Sequence, residues 1–176
     1  MIRSFSGKAP KIAESAFVSE AAYVIGDVEI GEGSSVWPGA VIRADLGKIS
    51  IGKHTSVEDN CVIHSGSPSS SDVMGDVIIG DNVHIGHGAA VHCHRIGNNV
   101  LIGMNSTILH DAEIGDFCII AAGTLVRQGM KIPDRSLVAG VPGKIQGEAS
   151  AEQLWWVQGG PELYSKMAQR YKEQGL

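Results

Sequence analysis

The sequence predicts an all-β solenoid, a parallel β-helix of hexapeptide repeats, followed by a C-terminal α-helical segment. An isoleucine or valine recurs at every sixth residue, a period that fits neither a simple strand nor a helix and indicates a repeating coil. The residue four places after most of these aliphatics is small or of modest size, which suits a narrow core. The repeated aliphatics are Ile12, Val18, Val24, Ile30, Val36, Ile42, Ile51, Val57, Ile63, Ile79, Ile85, Val91, Ile96, Ile102, Ile108, Ile114, Ile120, Val126, Ile132 and Val138.

The repeats predict a β-helix domain over residues 1–145, and the change of composition predicts a helical extension over 146–176 that packs on the coil. Ser150 and Gln153 form a capping-box pattern that opens a helix. A second helix is predicted to begin at Pro161, because proline is favoured at the first helical position.

The six-residue step fails three times, over Ile42–Ile51, Ile63–Ile79 and Val91–Ile96. Insertions in a solenoid become loops on one side of the coil, and such loops often carry the binding site. All three irregular steps lie near histidines, so we expect the functional site there.

Hexapeptide-repeat proteins, which this pattern resembles, coil as a left-handed triangle with three hexapeptides in each turn. On that geometry His64 and His92, each directly after an aliphatic residue, lie three steps apart and stack on adjacent turns about 4.8 Å apart. Two imidazoles placed in this way can bind one metal ion.

His87 falls on a neighbouring side of the triangle, so a homotrimer is expected to bring it to His64 and His92 of the next chain. Three histidines leave a fourth coordination position open, as in catalytic zinc sites. The same counting puts Arg43 one turn from His64, and Asp59 one turn from His87. The other histidines are interpreted as surface or turn residues; they are His54, His84, His94 and His110.

Over residues 10–145 the chain resembles the gamma-class carbonic anhydrases and their carnitine- and phenylacetate-metabolism relatives. The matching segments are VIRAD (41–45), VEDNCVIH (57–64), HIGHGAAVH (84–92) and IGMN (102–105). The resemblance implies a left-handed β-helix, a homotrimer, and zinc or ferrous iron held by His64 and His92 of one chain and His87 of another. It implies reversible hydration of carbon dioxide to bicarbonate by a metal-bound hydroxide.

The resemblance also assigns site roles to Arg43, Asp45 and Asp59, and suggests Tyr164 as a residue that reaches the site from the C-terminal segment. Two positions depart from the family motif. Ser56 stands where the family usually has asparagine, and Glu58 stands where it has the glutamine that helps position the attacking water. An ionised carboxylate accepts hydrogen bonds but cannot donate one, so Glu58 is a catalytic candidate with an altered role.

The composition argues against several classes of binding partner. A net charge of −5 without a basic run argues against nucleic acid or an anionic membrane as a partner. The chain has no stretch that suits a bilayer span and no signal-peptide core, so a cytoplasmic location is expected.

Two alternatives stay open. A hexapeptide-family acyltransferase or thioesterase would act on coenzyme A thioesters with a single histidine base, which leaves the histidine triplet without a role. The other is a metal-binding trimer without catalysis, which the Glu58 substitution allows.

Overall fold

The computed structural model describes residues 1–66 and 75–176, and it is a parallel β-solenoid of about seven turns with one C-terminal helix. The predicted fold class is therefore confirmed. The strands are β1 Ile2–Arg3, β2 Lys11–Ile12, β3 Phe17–Val18, β4 Tyr23–Ile30, β5 Ser35–Val36, β6 Val41–Ile51, β7 Ser56–Val57, β8 Val62–His64, β9 Val77–Ile79, β10 His84–Ile85, β11 Ala90–Val91, β12 Arg95–Ile96, β13 Leu101–Ile102, β14 Thr107–Ile108, β15 Glu113–Ile114, β16 Ile119–Ile120, β17 Leu125–Val126, β18 Lys131–Ile132, β19 Ser136–Gly140 and β20 Gly143–Glu148.

These strands form three faces. On the first face β8, β11, β14 and β17 follow one another, and on the second face β9, β12, β15 and β18 do so. The long strands β4 and β6 turn the corner between these two faces and join them into one sheet. The third face runs β3, β5, β7, β10, β13, β16, β19, β20. Every pair is parallel except β19 with β20, which are antiparallel.

The repeated aliphatics point inward and stack in register. Ile85, for example, lies opposite Val57 on one side and Ile102 on the other, and all three are fully buried. Cys61 and Cys118 lie in the same core, as packing residues. Parallel strands at this spacing place equivalent positions of the repeat above one another. The position of a residue in the repeat therefore predicts its neighbours on the adjacent turns.

One edge is closed by a ladder of carboxylate and amide side chains. The backbone N–H groups of Asp81, Asn98 and Asp116 donate to side-chain oxygens one turn further on, at 2.9, 2.7 and 2.8 Å. A Cβ atom at Gly97 would lie only 2.3 Å from Oδ1 of Asp116. Glycine at this corner therefore makes room for the ladder.

One expectation about the connections was wrong, and one is not tested. The nine-residue step from Ile42 to Ile51 is not a loop, because β6 continues through it and turns the corner as extended chain. Most of the sixteen-residue step after Ile63 falls at 67–74, outside the described residues.

The C-terminal segment is one helix, α1, from Ala151 to Glu173. Its predicted capping box is present, with both Ser150 and Gln153 contacts formed. The expected break at residue 161 is wrong because both halves of α1 pack on the same face. Leu154 and Val157 lie among Ile119, Leu101 and Leu137, whereas Ala168, Tyr164 and Met167 lie against Phe17 and Trp37. No helix among the described residues is both long and apolar enough to cross a bilayer.

Candidate functional site

The first half of the candidate site lies on the first face. His64 ends β8 and His92 follows β11, and these strands are parallel neighbours with Val91 opposite Ile63. Nδ1 of His64 lies 2.9 Å from Nε2 of His92, with the rings edge to face at a centroid distance of 4.7 Å. The stacking predicted from the repeat is confirmed.

Arg43 and Asp45 surround His64. Arg43 lies opposite His64 in the strand register, and its Nη2 is 3.2 Å from Nδ1 of His64. Oδ1 of Asp45 is 2.9 Å from Nε2 of the same ring, and Arg43 is also paired with Asp45. When Asp45 accepts a hydrogen bond from the protonated Nε2 of His64, the lone pair of that ring is on Nδ1. Nδ1 is the nitrogen that faces His92.

The charge states of Asp45 and His92 are consistent with the proton positions just described. Burial tends to raise the pKa of Asp45, but hydrogen bonds from Arg43 and His64 outweigh it and keep that pKa below the usual value. Burial lowers the pKa of His92, and the neighbouring His110 and His64 lower it further. His92 is therefore neutral at pH 7, the form that offers a lone pair to a metal ion.

The second half lies on the third face, around His87. Nδ1 of His87 is 2.9 Å from Oδ2 of Asp59, and Nε2 is 3.1 Å from Oε2 of Glu58. The position of Asp59 beside His87 agrees with the repeat. Each ring nitrogen of His87 therefore faces a carboxylate, and the Asp59 contact at Nδ1 is of the kind that orients metal-binding histidines. The His87 ring is about half exposed, so it faces outward.

Glu58 is the most deeply buried ionisable group of this half, with 2% of its surface exposed. Nε2 of His84 lies 2.7 Å from its Oε1, and the backbone N–H of His87 donates to its Oε2 at 2.9 Å. Burial tends to raise the pKa of Glu58, but the hydrogen bonds from His84 and Tyr164 outweigh it and lower the pKa. Glu58 is thus a fixed, ionised carboxylate.

Tyr164 reaches this half from α1. Burial and then the hydrogen bond to Glu58 raise the pKa of its hydroxyl, so it stays protonated and remains a donor. Its ring lies edge to face against His84 and against Trp37, at centroid distances of 4.8 and 5.6 Å.

Sequence reasoning missed two histidines. His84 was expected at the surface, yet it contacts Glu58 and lies 3.2 Å from Oγ of Ser56. His110 was expected to be a surface or turn residue; it does lie in a turn, but its ring centroid is 4.3 Å from that of His92, a contact that the sequence did not predict. A usable signal existed for His84, because the repeat puts it one turn from Ser56. What the repeat does not reveal is that α1 covers this column of side chains.

The spacing of the His64 and His92 nitrogens suits two ligands of one metal ion. Within residues 1–66 and 75–176 of one chain, no three His, Cys, Asp or Glu side chains are placed to hold a metal. His64 and His92 form a pair, and two tetrahedral zinc ligands lie about 3.3 Å apart, close to their 2.9 Å separation. His87, the third histidine that the sequence singled out, lies on a different face.

A pocket of about 520 Å³ adjoins the His87 half, between the third face and α1. Glu58, His84, His87 and Tyr164 supply its polar lining. The rest is backbone glycine and apolar side chains, namely Leu101, Ile102, Met104, Ile119, Ile120, Ala121, Ala122 and Leu163.

Comparison with known proteins first indicates the general class of solenoid protein that this chain resembles. Residues 94–128 match the family model described as bacterial transferase hexapeptide (six repeats). The crystal structure of a hexapeptide transferase family protein from Anaplasma phagocytophilum superposes with a TM-score of 0.90 at 33% identity, covering 97% of this chain and 98% of that one.

Two curated relatives show more closely which hexapeptide-repeat proteins this chain is similar to. A probable carbonic anhydrase of Methanocaldococcus jannaschii is 44% identical over 160 residues, covering 90% of this chain and 96% of the relative. Gamma carbonic anhydrase 1, mitochondrial, of Arabidopsis thaliana is 37% identical over 164 residues, or 93% of this chain. The chain spans 60% of the length of that plant protein. The chain belongs to the hexapeptide-repeat family that includes the gamma carbonic anhydrases.

Proposed function

We propose that this protein is a metal-dependent carbonic anhydrase that interconverts carbon dioxide and bicarbonate at sites shared between the subunits of a homotrimer. The observation that carries the proposal is the pairing of His64 with His92, with a carboxylate at the far nitrogen of His64. His87 carries a matching carboxylate on another face. The likeness to gamma carbonic anhydrases supports the same reaction.

In the proposed trimer, His64 and His92 of one chain and His87 of the next would hold zinc or ferrous iron. When bound, such an ion supplies Lewis acidity that brings the pKa of water to about 7. Asp45 and Asp59 orient the ligand rings, and Arg43 holds Asp45 in place. Loss of such an orienting partner typically costs about 10- to 100-fold in metal affinity or activity.

Glu58 is the proposed acceptor for the reacting water. Its Oε2 lies 3.1 Å from Nε2 of His87, so the carboxylate is within hydrogen-bond reach of a water that lies beside that nitrogen. Because Glu58 is ionised and cannot donate, it orients the water by accepting a hydrogen bond from it. Tyr164 donates to the carboxylate and, with α1, covers it from solvent.

The test is carbon dioxide hydration by the purified protein loaded separately with zinc and with ferrous iron. We expect His92→Ala to lose both metal and rate. His54→Asn is the matched control, because His54 is exposed and its φ of 51° suits asparagine. If the wild type binds about one metal per chain through these histidines and shows no hydration, the carbonic anhydrase proposal fails.

The pocket beside His87 favours a second candidate, hydrolysis or transfer of an acyl group from a thioester. Its volume of about 520 Å³ is in the range of drug-sized ligand sites, and its lining is mostly apolar with a few polar groups, as such sites require. Carbon dioxide needs far less room. The likeness to a hexapeptide transferase family protein supports this candidate as well.

Ala121→Trp separates the two candidates, because it fills the pocket from the face opposite α1. We expect it to abolish any thioester turnover and to leave carbon dioxide hydration largely intact. An equal loss of both activities would mean that the substitution disturbs the site itself. If thioester turnover survived the substitution, the pocket would not be the site that binds the acyl group.

A further inference from the structure

Glu58 is a buried carboxylate whose place in the repeat leaves it dependent on neighbours for donors. Val57 pairs with Ile85, so Gly86 is the residue opposite Glu58 on the next turn. Beyond that position, the Glu58 carboxylate reaches the backbone N–H of His87, which donates to its Oε2 at 2.9 Å. A buried charge is tolerated only where hydrogen-bond donors replace the lost water.

His84 lies on the column of third-face side chains that α1 covers. Further along this column, Leu101, Ile119 and Leu137 pack against apolar residues of the helix. In the other direction the column is polar, with His84 followed by Ser56 and Ser35, and 14% of the His84 side chain is exposed. An apolar residue would satisfy the packing here, so the histidine calls for another reason.

The surroundings of His84 fix the orientation of its ring. Oγ of Ser56 lies 3.2 Å from Nδ1, and Nε2 lies 2.7 Å from Oε1 of Glu58. A Cβ atom at Gly160 would come within 3.2 Å of Nδ1, so only glycine lets α1 approach this closely without displacing the ring. Tyr164 lies against the ring at a centroid distance of 4.8 Å.

We infer that His84 is a positioning residue that holds the Glu58 carboxylate at the candidate site by donating its Nε2 proton to Oε1. The Ser56 hydroxyl donates to Nδ1 and thereby keeps the proton on Nε2. The inference rests on the proposed function, in which His87 turns Nε2 toward the neighbouring subunit. Glu58 then loses the His87 ring beside Oε2, whereas Nε2 of His84 stays 2.7 Å from Oε1.

Two substitutions of His84 separate this role from simple packing. The amide nitrogen of glutamine in His84→Gln can take the place of Nε2 and donate to Glu58, whereas the shorter His84→Asn amide reaches only the Nδ1 position beside Ser56. We expect His84→Asn to lower kcat about 10- to 100-fold with KM unchanged, as for the loss of other orienting partners. His84→Gln should restore most of that loss, and His54→Asn should change neither parameter.

A second measurement does not depend on activity. In the metal-loaded wild type labelled with ¹⁵N-histidine, we expect the His84 Nε2 proton to give an NMR signal protected from solvent exchange. That signal should be absent from both His84 variants and shifted in Tyr164→Phe, which removes another donor to Glu58.

The two measurements fail in different ways. If the wild type shows no carbon dioxide hydration while the protected signal is present, the proposed function falls and the hydrogen bond stands. If the signal is missing, or if His84→Gln is as impaired as His84→Asn, His84 does not position Glu58 and the inference is overturned.

Discussion

The sharpest prediction concerns subunit sharing. A chain with His64→Ala lacks one ligand of its own pair, and a chain with His87→Ala lacks the ligand that it gives to its neighbour. Homotrimers of either variant contain no complete site. Because His64 pairs with His92 on one face while His87 lies on another, a trimer that contains both variants has one complete site, at the interface where an intact pair meets an intact His87.

The expected magnitude follows from closed threefold symmetry. When the two variants are co-expressed in equal amounts and assemble at random, about three quarters of the trimers are mixed, and each has one complete site of three. We therefore expect about one quarter of the wild-type hydration rate per chain, and about one quarter of the wild-type metal content. Both are measured on trimers purified through two different affinity tags and corrected for that selection.

The control is the same two variants purified separately and mixed without subunit exchange, which should stay inactive. If the co-expressed mixture neither binds metal nor hydrates carbon dioxide, the site is not shared between His64 of one chain and His87 of the next, and the trimer argument is refuted.

The remaining predictions concern stability and thiol chemistry. Ile114→Ala removes a fully buried core side chain and should cost about 2–5 kcal/mol of unfolding free energy, whereas Ile145→Ala, at a half-exposed position, should cost little; denaturant midpoints compare them. Gly159→Ala meets no neighbouring atom and should stabilise α1 by about 0.5–1 kcal/mol, but Gly160→Ala should gain less because its Cβ meets His84; a higher melting temperature for the second would contradict the packing described. Burial raises the pKa of Cys93 to about 12 and keeps all three cysteines protonated, so at pH 8 a disulfide reagent should label none of them in the folded protein and all three after unfolding; rapid labelling of the folded protein would contradict this burial.

Counting residues was enough to predict the His64 and His92 stack and the positions of Arg43 and Asp59. The repeat length is fixed by the core, and parallel pairing transmits it from turn to turn without change of register. Counting failed where the chain departs from that rule. The step after Ile42 has extra residues, and the sequence does not reveal whether they form a loop or, as they do, an extended corner.

Helix α1 shows a different limit on what can be predicted from the sequence. Its start at Ser150 is a local event, a capping box within four residues, and the sequence predicts it. The part of the helix past residue 161 packs against Phe17 and Trp37, which are distant in sequence. Packing on the coil therefore overrides the local tendency to begin a new helix at proline.

The sequence by itself determined the solenoid, the stacked histidine pair, the carboxylate beside His87 and membership of the hexapeptide-repeat class, because each follows from a period of six imposed by one continuous core. Only the tertiary structure decided that α1 lies along the third face and brings Glu58, His84 and Tyr164 together at one pocket. The physical reason is that a helix has no register with the coil. Where it docks is set by the sum of its side-chain contacts, and no spacing along the chain encodes that sum.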